Sequence, residues 1–125
     1  MQYAQDYLEH LKANPDMTAR FGTRIFYGLA PETATNPFAV LQDISPNAQR
    51  EISTAKPRMQ LDVFAADQYS ASDIAEEIVL ALIFTSFTSG ETYFQSVTAE
   101  RTKALRVEDG TWKVPIDIRF SCRRK

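Results

Sequence analysis

The chain has 125 residues, 44% of them hydrophobic and 24% charged. That length fits one domain, residues 1–125, burying roughly two thirds of the surface its unfolded chain would expose, and the composition excludes disorder as the default. Fourteen Lys and Arg against sixteen Asp and Glu, a formal net charge of -2, argue against a dedicated nucleic-acid binder, which needs excess cations to displace phosphate counterions.

In chain order, Tyr3, Ala4, Tyr7, Leu8 and Leu11 recur at spacings of three and four, the apolar stripe of an amphipathic helix. Asn14-Pro15-Asp16 ends it, because proline lacks a donor and pushes the preceding residue out of the α region; Met17 to Phe21 allow one more turn before Gly22. Arg24 to Tyr27 is a short strand candidate, Gly28 to Asn36 a loop, and Phe38 to Ile44 a strand closed by Ser45-Pro46-Asn47. The polar stretch between Pro46 and Pro57 reads as an excursion. Then Met59, Leu61, Val63 and Ala65 alternate with Arg58, Gln60 and Asp62, the pattern of a strand with one buried face; Phe64 falls on the polar side.

Ser70 is placed to cap a second helix, with Asp73 as its capping-box partner. Ile74, Ala75, Ile78, Ala81 and Leu82 form its core stripe, Asp73, Glu76 and Glu77 its opposite face, and it frays through Thr85-Ser86-Phe87. Tyr93 to Val107 holds one strand, or two broken by a bend. Glu108-Asp109-Gly110-Thr111 has hairpin chemistry, and Trp112, Val114, Ile116, Ile118 and Phe120 then alternate with polar residues. Pro115 predicts an edge or a bulge in that last strand. The expected fold is α+β: a largely antiparallel or mixed sheet of four to five strands with two helices packed on one face.

Catalytic patterns are missing. There is no G-x-S-x-G elbow, Walker loop or G-x-G-x-x-G, and the one histidine and one cysteine, His10 and Cys122, have no metal-ligand companions at suitable spacing. His10 lies off the apolar stripe and reads as a solvated surface residue; Cys122 continues the last strand's alternation as a small core or rim residue, and a single thiol suits a reducing cytoplasm. Glu76 and Glu77 diverge by about 100 degrees on a helix, poor geometry for joint acid–base work. The aromatics Phe26, Tyr27, Tyr93 and Phe94 lack the interleaved basic residues of a base-stacking platform. Arg119, Arg123, Arg124 and Lys125 read as a solvated basic end, a contact to an acidic partner being the alternative. No catalytic, cofactor-binding or metal-binding residue is expected, and neither a secretory signal nor a membrane span: the most apolar run, Ile78 to Phe84, falls far short of the ~20 residues a span needs.

The strand Arg58-Met59-Gln60-Leu61-Asp62-Val63-Phe64-Ala65 and the helix beginning Ser72-Asp73-Ile74-Ala75-Glu76-Glu77 resemble the R-x-Q-x-D strand and A-x-x-acidic helix of the phage tail completion or tail terminator family. Gly22-Thr23-Arg24-Ile25-Phe26-Tyr27 and Asn36-Pro37-Phe38-Ala39-Val40-Leu41 are similar to two further strands of that family, in the same order. The stretch after Gly90 matches least. The resemblance implies a non-enzymatic virion protein, made in the host cytoplasm, that forms a hexameric ring at the head-proximal end of a long tail. Its implied partners are further copies of itself, the tail tube protein and the head–tail connector or neck proteins, with DNA passing through the lumen without sequence-specific binding.

Ring closure needs two different, complementary patches on each subunit. Leu80 and Phe84, four residues apart and off the core stripe, are one candidate interface; Asn47, Gln49, Arg50 and Glu51 of the polar excursion are another. Two other classes fit the same residues, a head–tail adaptor ring of the neck and a stand-alone small-molecule or peptide-binding α+β domain.

Overall fold

The computed structural model describes residues 3–45, 54–55, 57–107 and 110–124, with backbone alone at 54, 55 and 96. In chain order the elements are α1 (Tyr3–Ala13), α2 (Pro15–Phe21), β1 (Ile25–Tyr27), β2 (Phe38–Asp43), β3 (Thr54–Ala55), β4 (Arg58–Ala65), α3 (Gln68–Leu82), β5 (Phe87–Ser89), β6 (Thr92–Arg101), β7 (Leu105–Arg106) and β8 (Trp112–Arg124). The α+β class holds, but the expected four to five strands and two helices become eight strands and three helices among the described residues. The additions are short pieces, too brief to carry a period of their own.

Asn14 both ends α1 and starts α2. Its side-chain oxygen accepts from the backbone N–H groups of Asp16 and Met17 at 2.8 and 3.2 Å, and Pro15 occupies the first helical position, where no donor is needed. The helix α3 opens two residues before the expected cap. Asp67, not Ser70, accepts at 2.8 Å from the backbone N–H of Ser70, an interaction that holds the Asp67 carboxyl below its ordinary range.

The sheet runs β1-β2-β4-β8-β6-β5, with β3 and β7 also paired to β8. Only β1 and β2 are parallel among the described pairs. The register of β4 against β8 sets Met59 opposite Ile118, Leu61 opposite Ile116 and Val63 opposite Val114. All six are buried in one core with Tyr7, Leu11, Met17 and Phe21 from α1 and α2 and Ala71, Ile74, Ala75, Ile78 and Leu82 from α3. Ala81, expected in the α3 stripe, is only half-buried; Ala71, one turn before Ala75, is fully enclosed.

Pro115 meets its expectation as a bulge. It lies in β8, the central strand, opposite Asp62 of β4; while β8 runs from Ile116 to Lys113, the chain on its other side runs from Arg101 to Leu105, four residues against three. The Pro115 carbonyl accepts from the Thr102 N–H at 3.0 Å, and in a strand the N–H and C=O of one residue point the same way. The missing donor therefore faces residues 102–104, the gap between β6 and β7, where no ladder bond is lost.

His10, by contrast, is not the solvated residue expected. Its ring is half-buried and stacks on Phe87 with centroids 3.5 Å apart, and burial lowers its pKa below the usual imidazole value. Cys122 is buried, as its place in the alternation predicts, and burial raises its thiol to about 12. Such a thiol stays protonated and unreactive at neutral pH.

The β5–β6 turn is fastened to α1. Ser89 Oγ donates to the Asp6 backbone carbonyl and Thr92 Oγ1 to Asp6 Oδ2, each at 2.7 Å. Gly90 at the tip has φ of 60°, and a Cβ there would lie 2.7 Å from Asp6 Cγ.

Candidate assembly surface

Two surfaces remain outside the core. The first is the sheet face turned away from the helices. On it Gln60 Nε2 donates to Asp62 Oδ1 at 2.8 Å and Gln42 Nε2 to Asp62 Oδ2 at 3.3 Å, with Lys113 Nζ 3.9 Å away. Burial raises the Asp62 pKa, opposed by the Gln60 bond and the Lys113 charge. Next to it Arg58 and Arg119 stand directly opposite one another, a like-charge pair that would repel. Asp117 separates them, accepting from Arg58 Nε at 2.8 Å and Arg119 Nε at 3.1 Å. Burial of Asp117 acts to raise its pKa, but the two guanidinium groups outweigh it and hold the carboxyl low.

Phe64, which breaks the polar pattern of β4, has its reason on this face. It stacks on Phe38 at 4.6 Å, and Phe26 meets Phe38 edge-on at 6.2 Å. Residues 28–36 arch over this aromatic strip and enclose a cleft of about 390 Å³ with Val40 and Asp62 among its lining residues.

The second surface is apolar and exposed. Leu80 and Phe84 are 72% and 84% accessible, so both lie outside the core, as their offset from the buried stripe predicts. Helix α3 ends at Leu82, and Phe84 lies beyond it beside β6, its backbone N–H donating to the Val97 carbonyl at 2.7 Å. Its φ of 57° is the one positive value on a non-glycine residue among those described, and a bulky residue in that region is strained by about 1 kcal/mol or more. Among the described residues the other exposed large apolar side chains are Tyr27, Leu29, Tyr69 and Leu105. Tyr69, 81% accessible in the first turn of α3, carried no sequence signal, since its place in a helix depended on the unrecognised Asp67 cap. A cleft of about 260 Å³ adjoins it, lined also by Arg20, Pro37, Ala65, Ala66 and Ile74. The four other candidate interface residues, Asn47, Gln49, Arg50 and Glu51, lie outside the described residues. Among the described residues no three His, Cys, Asp or Glu side chains gather as metal ligands, and no helix is long and apolar enough to cross a membrane.

Against known families, the model described as tail completion protein gp17 matches residues 6–122. The chain belongs to this family. As a tail completion protein it is a structural component of a phage-type virion tail, from a non-enzymatic family. No curated protein matches its sequence. Among solved structures, a chain in the virion of a native gene transfer agent particle superposes with a TM-score of 0.69, at 19% identity over 97% of this chain and 92% of that one. A second solved protein reaches 0.64 at 14% identity, over 98% and 92%. At these identities the likeness is one of fold, and it spans nearly the whole tail completion chain, including the stretch after Gly90.

Proposed function

We propose that this tail completion protein acts as a tail terminator: its subunits close into a ring, with six copies as the expected number, that caps the tail tube at its head-proximal end. The ring offers its outer face to connector or neck proteins and leaves a lumen for DNA. The observation that carries this reading is the Leu80–Phe84 pair. A monomer has no use for two large apolar side chains in water, one of them on strained backbone, when Ile74, Ala75, Ile78 and Leu82 already supply the core face of α3. Family membership supports the tail as the place of action. The test is the double variant Leu80→Ser/Phe84→Ser. It should fold cooperatively with an unchanged circular dichroism spectrum, yet fail to form rings by light scattering and negative-stain imaging and fail to cap tubes in a tail-assembly reaction. Rings undisturbed by the double substitution would remove the pair from the interface.

A further inference from the structure

A ring built from identical contacts joins one patch of each subunit to a different patch of the next, and Leu80 and Phe84 supply only one of the two. We infer that the receiving patch is the cleft beside Tyr69 at the other end of α3, and that the Phe84 ring of one subunit seats in it on the next; this rests on the ring reading above. Three observations point there. Pro37, Ala65, Ala66 and Ile74 give the cleft most of its surface, the exposed Tyr69 lines it too, and Arg20 and Asp73 are its charged members. A space of about 260 Å³ suits one inserted aromatic side chain, and an aromatic anchor filling a pocket is the usual energetic centre of an interface.

The positions are also those that a head-to-tail contact requires. Phe84 lies past the C-terminal end of α3 beside Val97 of β6, whereas the cleft is bounded by the start of β2 and the end of β4. The 15 residues of α3 separate the two by about 22 Å of helix, so ring and cleft are two distinct patches on each subunit.

Complementation of broken halves tests the assignment. Phe84→Asp removes the inserted ring; Ala66→Lys/Tyr69→Asp blocks the cleft at two exposed positions, where neither change disturbs the core. Each variant alone should stay monomeric in native mass spectrometry under conditions where the parent forms rings. Mixed, the two should give one-to-one dimers that grow no further, because each pair retains a single intact ring–cleft contact. Rings formed by the Ala66→Lys/Tyr69→Asp variant, with Phe84→Asp still monomeric, would overturn the cleft as receiver while leaving the ring reading in place. A parent that stays monomeric both alone and on assembled tail tubes would overturn the ring reading itself.

Discussion

The Tyr7 ring lies 4.9 Å from Phe120 and 5.4 Å from Phe94 in a fully buried aromatic group, but its hydroxyl meets no hydrogen-bond partner among the described residues. Burial pushes its pKa well above the ordinary phenol value, so the group is a neutral donor left unused. A buried unsatisfied hydroxyl costs on the order of 1–3 kcal/mol. Tyr7→Phe should therefore stabilise the subunit by about 1 kcal/mol and raise Tm by a few degrees in calorimetry; a lower Tm would show that the hydroxyl is satisfied. His10, three residues on, has its folded-state pKa depressed by burial against Phe87. The unfolded chain then binds a proton near pH 6.5 that the folded chain refuses. This contribution to stability is present above pH 6.5 and is lost as pH falls from there through the folded pKa. Urea midpoints measured between pH 7.5 and 5 should fall less steeply for His10→Gln than for the parent. The stripe through Tyr7 and Leu11 was legible in the sequence and the burial of His10 was not, because its cover, Phe87, comes from a three-residue strand 77 positions later.

Among the elements, β4 and β8 were the most legible, since an unbroken alternation survives along both and their register keeps apolar side chains opposite each other. The segment from Tyr93 to Val107 was read as one strand or two broken by a bend; it holds two, β6 and β7, parted at residues 102–104, and β6 itself carries a bulge. Between Gln95 and Thr98, β6 advances three residues while β8 advances two, from Ser121 to Arg119. The inward parity flips there, so that Phe94 and Val97 are both fully buried, which no simple period encodes. The β5–β6 turn shows a second kind of hidden constraint. Gly90 carries a positive φ and sits against the Asp6 carboxylate, so Gly90→Ala adds backbone strain and forces Asp6 away from Thr92. A loss of about 2 kcal/mol or more is expected in chemical denaturation; an unchanged midpoint would mean that α1 and this turn are not held together through Asp6.

For the whole molecule, the core was legible because it is built from the two faces with clean patterns, α3 against the β4–β8 pair. Leu61 is fully buried at its centre opposite Ile116. An unpaired carboxylate there costs several kcal/mol, a large share of a domain's total stability, so Leu61→Asp should abolish cooperative unfolding. Arg124→Ala, at an exposed strand end, should leave Tm within a degree of the parent. The proposed assembly surface was only half legible. Leu80 and Phe84 stand out as apolar residues the helical stripe does not need, whereas the cleft beside Tyr69 exists only once β2, β4 and α3 are brought together, and nothing local in the sequence marks it.

The left-handed backbone at Phe84 has a bearing on how this chain responds to selection. A glycine or asparagine at that position relaxes the φ of 57° and withdraws an aromatic ring from water, so the lone subunit becomes more robust with each such replacement. Directed evolution scored on heat tolerance or soluble yield would enrich those replacements and discard the side chain proposed to join subunits. If the ring reading holds, a lineage improved by every bench criterion would then yield tails without a finished end. On that reading, only a screen scored on assembled particles would keep the phenylalanine.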